Sequence, residues 1–175
     1  MSNNYLPHLL VLPEDEHNRE FVLGFIEHHR INSRAVDLRP VAKGWQEAFK
    51  GFEENIAPTM QRFKERRVLI VIDFDLNFPD RLQHAKATYI DQSIQDRVFV
   101  IGCSDEPKDL LAELANVGHK TSRKQVGADL AAECVGAPPN GPGGGPVSWS
   151  HAMLAHNRPE LDRLRTSVGK LLFQP

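Results

Sequence analysis

Val68-Leu-Ile-Val-Ile-Asp73-Phe-Asp75 is the stretch that decides the fold. Val68 to Ile72 are aliphatic without a break, and all but Leu69 are β-branched, which suits a pleated strand better than a helix. Charge bounds the run on both sides, at Arg66-Arg67 and at Asp73. A continuous apolar run implies a strand buried on both faces, as in a parallel sheet covered by helices.

Working outward, His8-Leu-Leu-Val-Leu12 is a second short apolar run. Arg34-Ala-Val-Asp-Leu-Arg-Pro-Val41 alternates, and Arg97-Val-Phe-Val-Ile-Gly102 supplies a fourth strand. Helical spacing separates them. Residues 16–30 place Phe21, Val22, Phe25, Ile26 and His29 on one face, and residues 44–67 do the same with Trp45, Phe49, Phe52, Ile56, Met60 and Phe63. Pro58 should kink or split that second helix. Residues 79–94 and 107–114 read as further helices, with Pro107 suited to a first turn. The alternation predicts an α/β fold: a four-stranded parallel core sheet with helices on both faces, ending near Leu114.

Past Asn116 the periodicity decays. Gly136-Ala-Pro-Pro-Asn-Gly-Pro-Gly-Gly-Gly-Pro146 reads as loop. Leu161, Leu164, Val168, Leu171 and Leu172 then form a stripe, capped at Asn157 or Arg158, that should dock on the body as a C-terminal helical appendage. The expected organisation is an α/β core over 1–116, an irregular Gly/Pro-rich segment over 117–150, and a packed helix over 151–175.

The chain has 175 residues, 41% hydrophobic and 25% charged, which suits one globular domain. Its 21 basic and 23 acidic residues leave a net charge of −2, excluding a non-specific basic coat for nucleic acid. An acidic site that meets phosphate through metal ions remains open. No apolar run approaches the roughly 20 residues a bilayer span needs. The opening MSNNYLPHLLVLPEDE lacks a basic region before its apolar stretch, so no signal peptide is expected and the cytoplasm is the plain location. Two cysteines, Cys103 and Cys134, make neither a disulfide framework nor a Cys-based zinc site.

Chemistry in such sheets gathers at the carboxyl ends of the strands. The first strand runs into Glu14-Asp15-Glu16, the third into Asp73-Phe74-Asp75, and the fourth reaches Asp105 and Glu106. In extended backbone, residues two apart face the same way, so Asp73 and Asp75 should converge with Glu14 on one point. Converging carboxylates repel, and a hard divalent ion, Mg²⁺ or Mn²⁺, relieves them. The structural reading is that the same acids cap helices or favour a helix dipole.

Leu9-Leu-Val-Leu-Pro-Glu14-Asp-Glu-His-Asn18-Arg-Glu-Phe21 resembles the first TOPRIM motif, a strand ending in Glu and entering a helix. Val68-Leu-Ile-Val-Ile-Asp73-Phe-Asp75 resembles that family's DxD motif. The resemblance spans about residues 9–114 and is closest in style to small OLD-like (overcoming lysogeny defect) nuclease chains or small TOPRIM ribonucleases. It implies a TOPRIM-like, Rossmann-like fold and Mg²⁺- or Mn²⁺-dependent cleavage of DNA or RNA phosphodiesters. Glu14 takes the glutamate role, and Asp73 and Asp75 the DxD role. Small OLD-like members carry a further acid or Lys after the fourth strand, and Asp105, Lys108 and Asp109 are the candidates here. The implied metal ligands are therefore Glu14, Asp73, Asp75, Asp105 and Asp109, and the implied catalytic set is Glu14, Asp73, Asp75 and Lys108. Asp15, Asn18 and Pro13 depart from the usual Gly, Asp and aliphatic residue of the first motif. The chain has no ATP-binding motif, so any ATP dependence implies a separate ATPase partner.

Lys120, Arg123 and Lys124 form a basic patch, read either as a solvated loop or as a contact to a nucleic-acid backbone. Tyr5 and Tyr89 are the only tyrosines and neither suggests a topoisomerase nucleophile, which favours a nuclease. Two alternatives stay open. Asp73-Phe-Asp75-Leu-Asn77 also resembles the nucleophile motif of haloacid-dehalogenase-like phosphatases, with Asp73 phosphorylated and Asp75 as acid-base, although that strand normally comes first. The other alternative is a non-catalytic TOPRIM-like partner subunit.

Overall fold

The computed structural model describes residues 7–174; the expectations drawn from the first six residues and from Tyr5 lie outside the described residues. The four apolar runs become β1 (His8–Pro13), β2 (Val36–Leu38), β3 (Arg66–Val71) and β4 (Val98–Ile101). They form one sheet in the order β2-β1-β3-β4, and every pairing is parallel. The Val68–Val71 run is therefore central, paired with β1 on one side and β4 on the other. Strand alternation sends Leu9, Val11, Leu69, Val71, Phe99 and Ile101 to one face. Leu10, Leu12, Val68, Ile70, Val98 and Val100 go to the other.

Seven α-helices among the described residues cover both faces. One face carries α1 (Glu16–Ile26), α5 (Pro107–Asn116), α6 (Arg123–Cys134) and α7 (Arg158–Leu172). The other carries α2 (Trp45–Asn55), α3 (Ala57–Met60) and α4 (Asp80–Tyr89). Pro58 splits the long expected helix by falling in the first turn of α3, where its missing N–H is tolerated. Full burial of Phe49, Phe52 and Phe99 anchors the two layers, each worth about 1.5–3 kcal/mol. No helix among the described residues is long and apolar enough to cross a membrane.

The core does not end near Leu114, and the segment 117–150 is not irregular throughout. It contains α6, opened by Ser122, whose hydroxyl accepts the Gln125 N–H at 3.1 Å. Val126, Leu130 and Cys134 of α6, and Val147 and Trp149 beyond it, join the same core as β1 and β3. The helix lies backbone to backbone on α1. A Cβ added to Gly24 would sit 1.8 Å from the Lys124 carbonyl oxygen, and one on Gly127 would sit 2.0 Å from that of Phe21. Gly127→Ala must push the two helices apart and should lower stability in urea by about 2 kcal/mol. Gly51→Ala, in the interior of α2 with open space at its Cβ position, should instead stabilise by up to about 1 kcal/mol. Equal, small effects at both positions would contradict this packing.

An edge strand normally leaves a row of unpaired backbone groups. Along β4 that row is met by side chains at the start of α7. Glu160 Oε2 accepts the Val100 N–H at 3.1 Å. Asn157 Oδ1 accepts the Gly102 N–H at 3.0 Å, while its Nδ2 donates to the Gly102 carbonyl at 2.8 Å. Of the two expected caps, Asn157 and Arg158, Asn157 takes the N-cap position of α7, but its side chain makes no cap bond and instead mimics a neighbouring strand. Lys86 and Arg163 neutralise the buried Glu160 at 2.6 and 2.7 Å.

Candidate active site

The chain leaves β1 toward β2 and leaves β3 toward β4, so the crossovers diverge between the two central strands. That divergence opens a crevice at their carboxyl ends, the usual binding position in such sheets. Glu14 and Asp73 are delivered there. Glu14 prolongs the sheet by donating its N–H to the Val71 carbonyl at 2.9 Å, and its Oε2 accepts the Asp73 N–H at 2.8 Å. Asp15 turns the chain into α1 as an extended N-cap, its Oδ1 accepting the Asn18 N–H at 2.8 Å. Asn18, 1% exposed, donates its Nδ2 to Asp15 Oδ1 and to Asp73 Oδ1, each at 3.1 Å. The amide thus braces a carboxylate where another acid would have repelled it.

Burial pushes Asp73 up to about 7, opposed by the Asn18 hydrogen bond and reinforced by the charges of Glu14, Asp15 and Asp75. Glu14 is raised too, first by burial and then by Asp15 and Asp75, while the Asp73 N–H and Arg81 pull it down. Burial disfavours the charged form of both adjacent acids, and a cation beside them would relieve that cost.

Asp75 does not complete a trio. Its φ is 44° and that of Leu76 is 59°, so the chain turns left-handed and the side-chain alternation ends at Phe74. Such backbone costs roughly 1–2 kcal/mol per non-glycine residue and clusters at functional or switching segments. Asp75 Oδ2 pairs with Arg81 Nη1 at 2.6 Å, and the same nitrogen donates to the Asp73 carbonyl at 2.7 Å. The guanidinium lies 5.2 Å from the Trp45 ring centroid, a cation–π contact that holds it in place.

The other expected residues are placed elsewhere. Lys108 pairs with Glu106 at 2.6 Å on the surface, and that bond raises it; no bond directs it toward Glu14 or Asp73. Asp105 and Asp109 stand near Cys103, whose thiol is pushed up by burial and by the charges of Asp73, Asp105 and Asp109. Neither acid shares a hydrogen bond with Glu14 or Asp73. Arg123 and Lys124 clamp α6 to α1 through Glu20 at 3.2 Å and Glu27 at 2.6 Å, so only Lys120 of the expected basic patch stands in an exposed loop.

Among the described residues, no group of three or more His, Cys, Asp or Glu is arranged to hold a metal ion. The expected five-acid ligand set is therefore not assembled. Glu14 and Asp73 alone do suit a magnesium-like ion, which takes one or two protein carboxylates and fills its shell from solvent and substrate phosphate. Sequence reasoning missed Asn18 as a brace and Arg81 altogether. The Asp15-x-x-Asn18 capping spacing signals the first; nothing signals the second, because its partners lie across a left-handed turn. No family model, curated protein or solved structure matches this chain. Fold and crevice together define a class: an α/β protein with an all-parallel sheet and an acid pair astride its switch point.

Proposed function

We propose that the chain is a TOPRIM-like, metal-dependent phosphodiesterase acting on nucleic acid in the cytoplasm, with Glu14 and Asp73 as its ion-holding pair. The observation that carries this reading is the coupling of two carboxylates from adjacent central strands in the crevice between them. Mg²⁺ or Mn²⁺ bound there would supply a Lewis acid for phosphoryl oxygens and lower the pKa of an attacking water. Asn18 orients the Asp73 carboxylate through Oδ1. Glu14, raised from its ordinary value by burial, would either complete the ion's shell or accept the proton of an attacking water. Arg81, stacked on Trp45 beside Asp73, offers a cation for a phosphate oxygen.

One observation favours a second reading, a non-catalytic TOPRIM-like partner of a separate ATPase: the chain's own Arg81 neutralises the second acid of the DxD motif. The phosphatase reading has less support, because Asp75 would have to move a proton while ion-paired. The test titrates the full chain with Mn²⁺ by calorimetry and incubates it with end-labelled DNA and RNA. One ion per chain and metal-dependent cleavage are expected, with Glu14→Gln weakening Mn²⁺ binding by roughly tenfold or more. Mn²⁺ binding without cleavage would point to the partner module. Hydrolysis of a phosphomonoester alone would point to the phosphatase.

A further inference from the structure

His17 stands in the first turn of α1, two residues after the Asp15 cap. Its side chain is 45% exposed, and its Nδ1 lies 3.4 Å from Asp15 Oδ2. The other oxygen of that carboxylate, Oδ1, accepts Asn18 Nδ2, which also donates to Asp73 Oδ1, each at 3.1 Å. One carboxylate and one amide therefore connect the imidazole to Asp73. Burial first, then the charge of Asp15 among its neighbours, raises both Glu14 and Asp73, so Asp15 lies within electrostatic reach of the pair. Among the described residues His17 Nε2 has no hydrogen-bond partner, and it is not buried. One ring nitrogen is held and the other is free. The fold gains little from this placement. An exposed ion pair is worth about 0–1 kcal/mol, and a positive charge in a first turn opposes the helix dipole.

An alkoxide leaving phosphorus needs a proton. Arg81 cannot release one, and Lys108 is tied to Glu106 at 2.6 Å. We infer, resting on the phosphodiesterase reading above, that His17 is the general acid of that reaction and Asp15 its positioning residue. The oxygen of the attacking water forms the new bond to phosphorus while a proton passes from it to Glu14. The bond to the leaving oxygen breaks, and that oxygen keeps the electron pair, takes the proton of His17 Nε2 and departs as an alcohol. Asp15 Oδ2 steadies the imidazolium before the step and the Nδ1–H tautomer after it. Exchange through solvent returns the Glu14 proton to Nε2. A separation of 3.4 Å is long for a hydrogen bond, and such contacts commonly shorten when substrate is bound.

The test compares two esters with Mn²⁺ and the full chain. One is an end-labelled oligonucleotide, whose leaving alkoxide needs a proton. The other is thymidine 5′-(4-nitrophenyl phosphate), whose 4-nitrophenolate leaves without one. His17→Ala should slow the first by about 10²-fold or more and the second by less than about tenfold. His17→Gln, which keeps a donor but cannot release its proton, should behave the same way. Both variants should keep the wild-type Mn²⁺ affinity and melt within the range of ordinary surface substitutions. In EDTA, with no turnover, imidazole ¹⁵N spectra should show the neutral ring of His17 protonated at Nδ1. Asp15→Asn, which keeps an N-cap oxygen, should move that proton toward Nε2. Equal losses on the two esters, no loss on the oligonucleotide, or a neutral ring protonated at Nε2 in the wild type would overturn the inference and leave the phosphodiesterase standing. Cleavage of neither ester by the wild type would remove the reading and the inference together.

Discussion

Asp73→Asn should reduce metal-dependent cleavage by about 10³-fold or more, since the ion's charge stabilisation is worth several kcal/mol. The same variant should be more stable than the wild type in chelator above neutral pH. Asp73 has an ordinary pKa of 3.8, and in the folded chain burial, followed by the neighbouring acids, holds it at about 7. The folded state therefore binds this proton more tightly than the unfolded state. Stability is greatest below 3.8, falls as pH rises through the window to about 7, and stays reduced above it. At about 1.4 kcal/mol per unit, the whole window amounts to roughly 4 kcal/mol. Asn at position 73 keeps an Oδ1 acceptor for Asn18 and carries no charge, so its contribution should be flat across that window. Urea midpoints measured from pH 4 to 8 in EDTA distinguish the two. Added Mn²⁺ should then stabilise the wild type by mass action and the variant hardly at all. A variant that melts lower at every pH, with no response to Mn²⁺ in either protein, would make Asp73 a structural acid and remove the nuclease reading.

The strands are legible because burial on both faces leaves an unbroken apolar run, and nothing competes with that signal at Leu9–Leu12 or Val68–Val71. Glu14 and Asp73 are legible for a related reason: Asp73 follows such a run directly and Glu14 follows one after Pro13, at the end where crossovers open a crevice. Asp75 shows where the argument stops. The two-residue alternation holds only while the backbone is extended, and φ of 44° at Asp75 ends it. Sequence carries little warning of this, since neither Asp75 nor Leu76 is a glycine. Helix α6 escapes for the opposite reason. Val126, Gly127, Asp129, Leu130, Ala131, Ala132 and Cys134 are all buried, so no one-sided stripe remains to be read. Its small residues are what let α1 approach closely, and smallness is what dilutes an apolar signal. Composition alone therefore reads the segment as loop.

Asn157→Ala should be among the most damaging single changes outside the acid pair, although Asn157 touches no acid and ends no strand. It would strip the Gly102 N–H and carbonyl, both at a buried residue, of the side chain that pairs with them at 3.0 and 2.8 Å. Each backbone group left buried without a partner costs roughly 1–3 kcal/mol, so a loss of about 2–5 kcal/mol is expected in urea unfolding. The reopened edge of β4 should also favour association at high concentration, visible by sedimentation. The effect should extend to the crevice. Cys103, next to Gly102, accepts the Phe74 N–H at 3.0 Å, and Ile101 accepts that of Ile72 at 3.0 Å. Those two bonds bracket Asp73, so fraying at Gly102 frees the backbone that presents its carboxylate to Glu14. Mn²⁺ affinity should therefore fall along with stability, even though no ligand atom has been removed. A variant within about 0.5 kcal/mol of the wild type, the range of ordinary surface substitutions, would show that water replaces the amide and that the edge needs no cap.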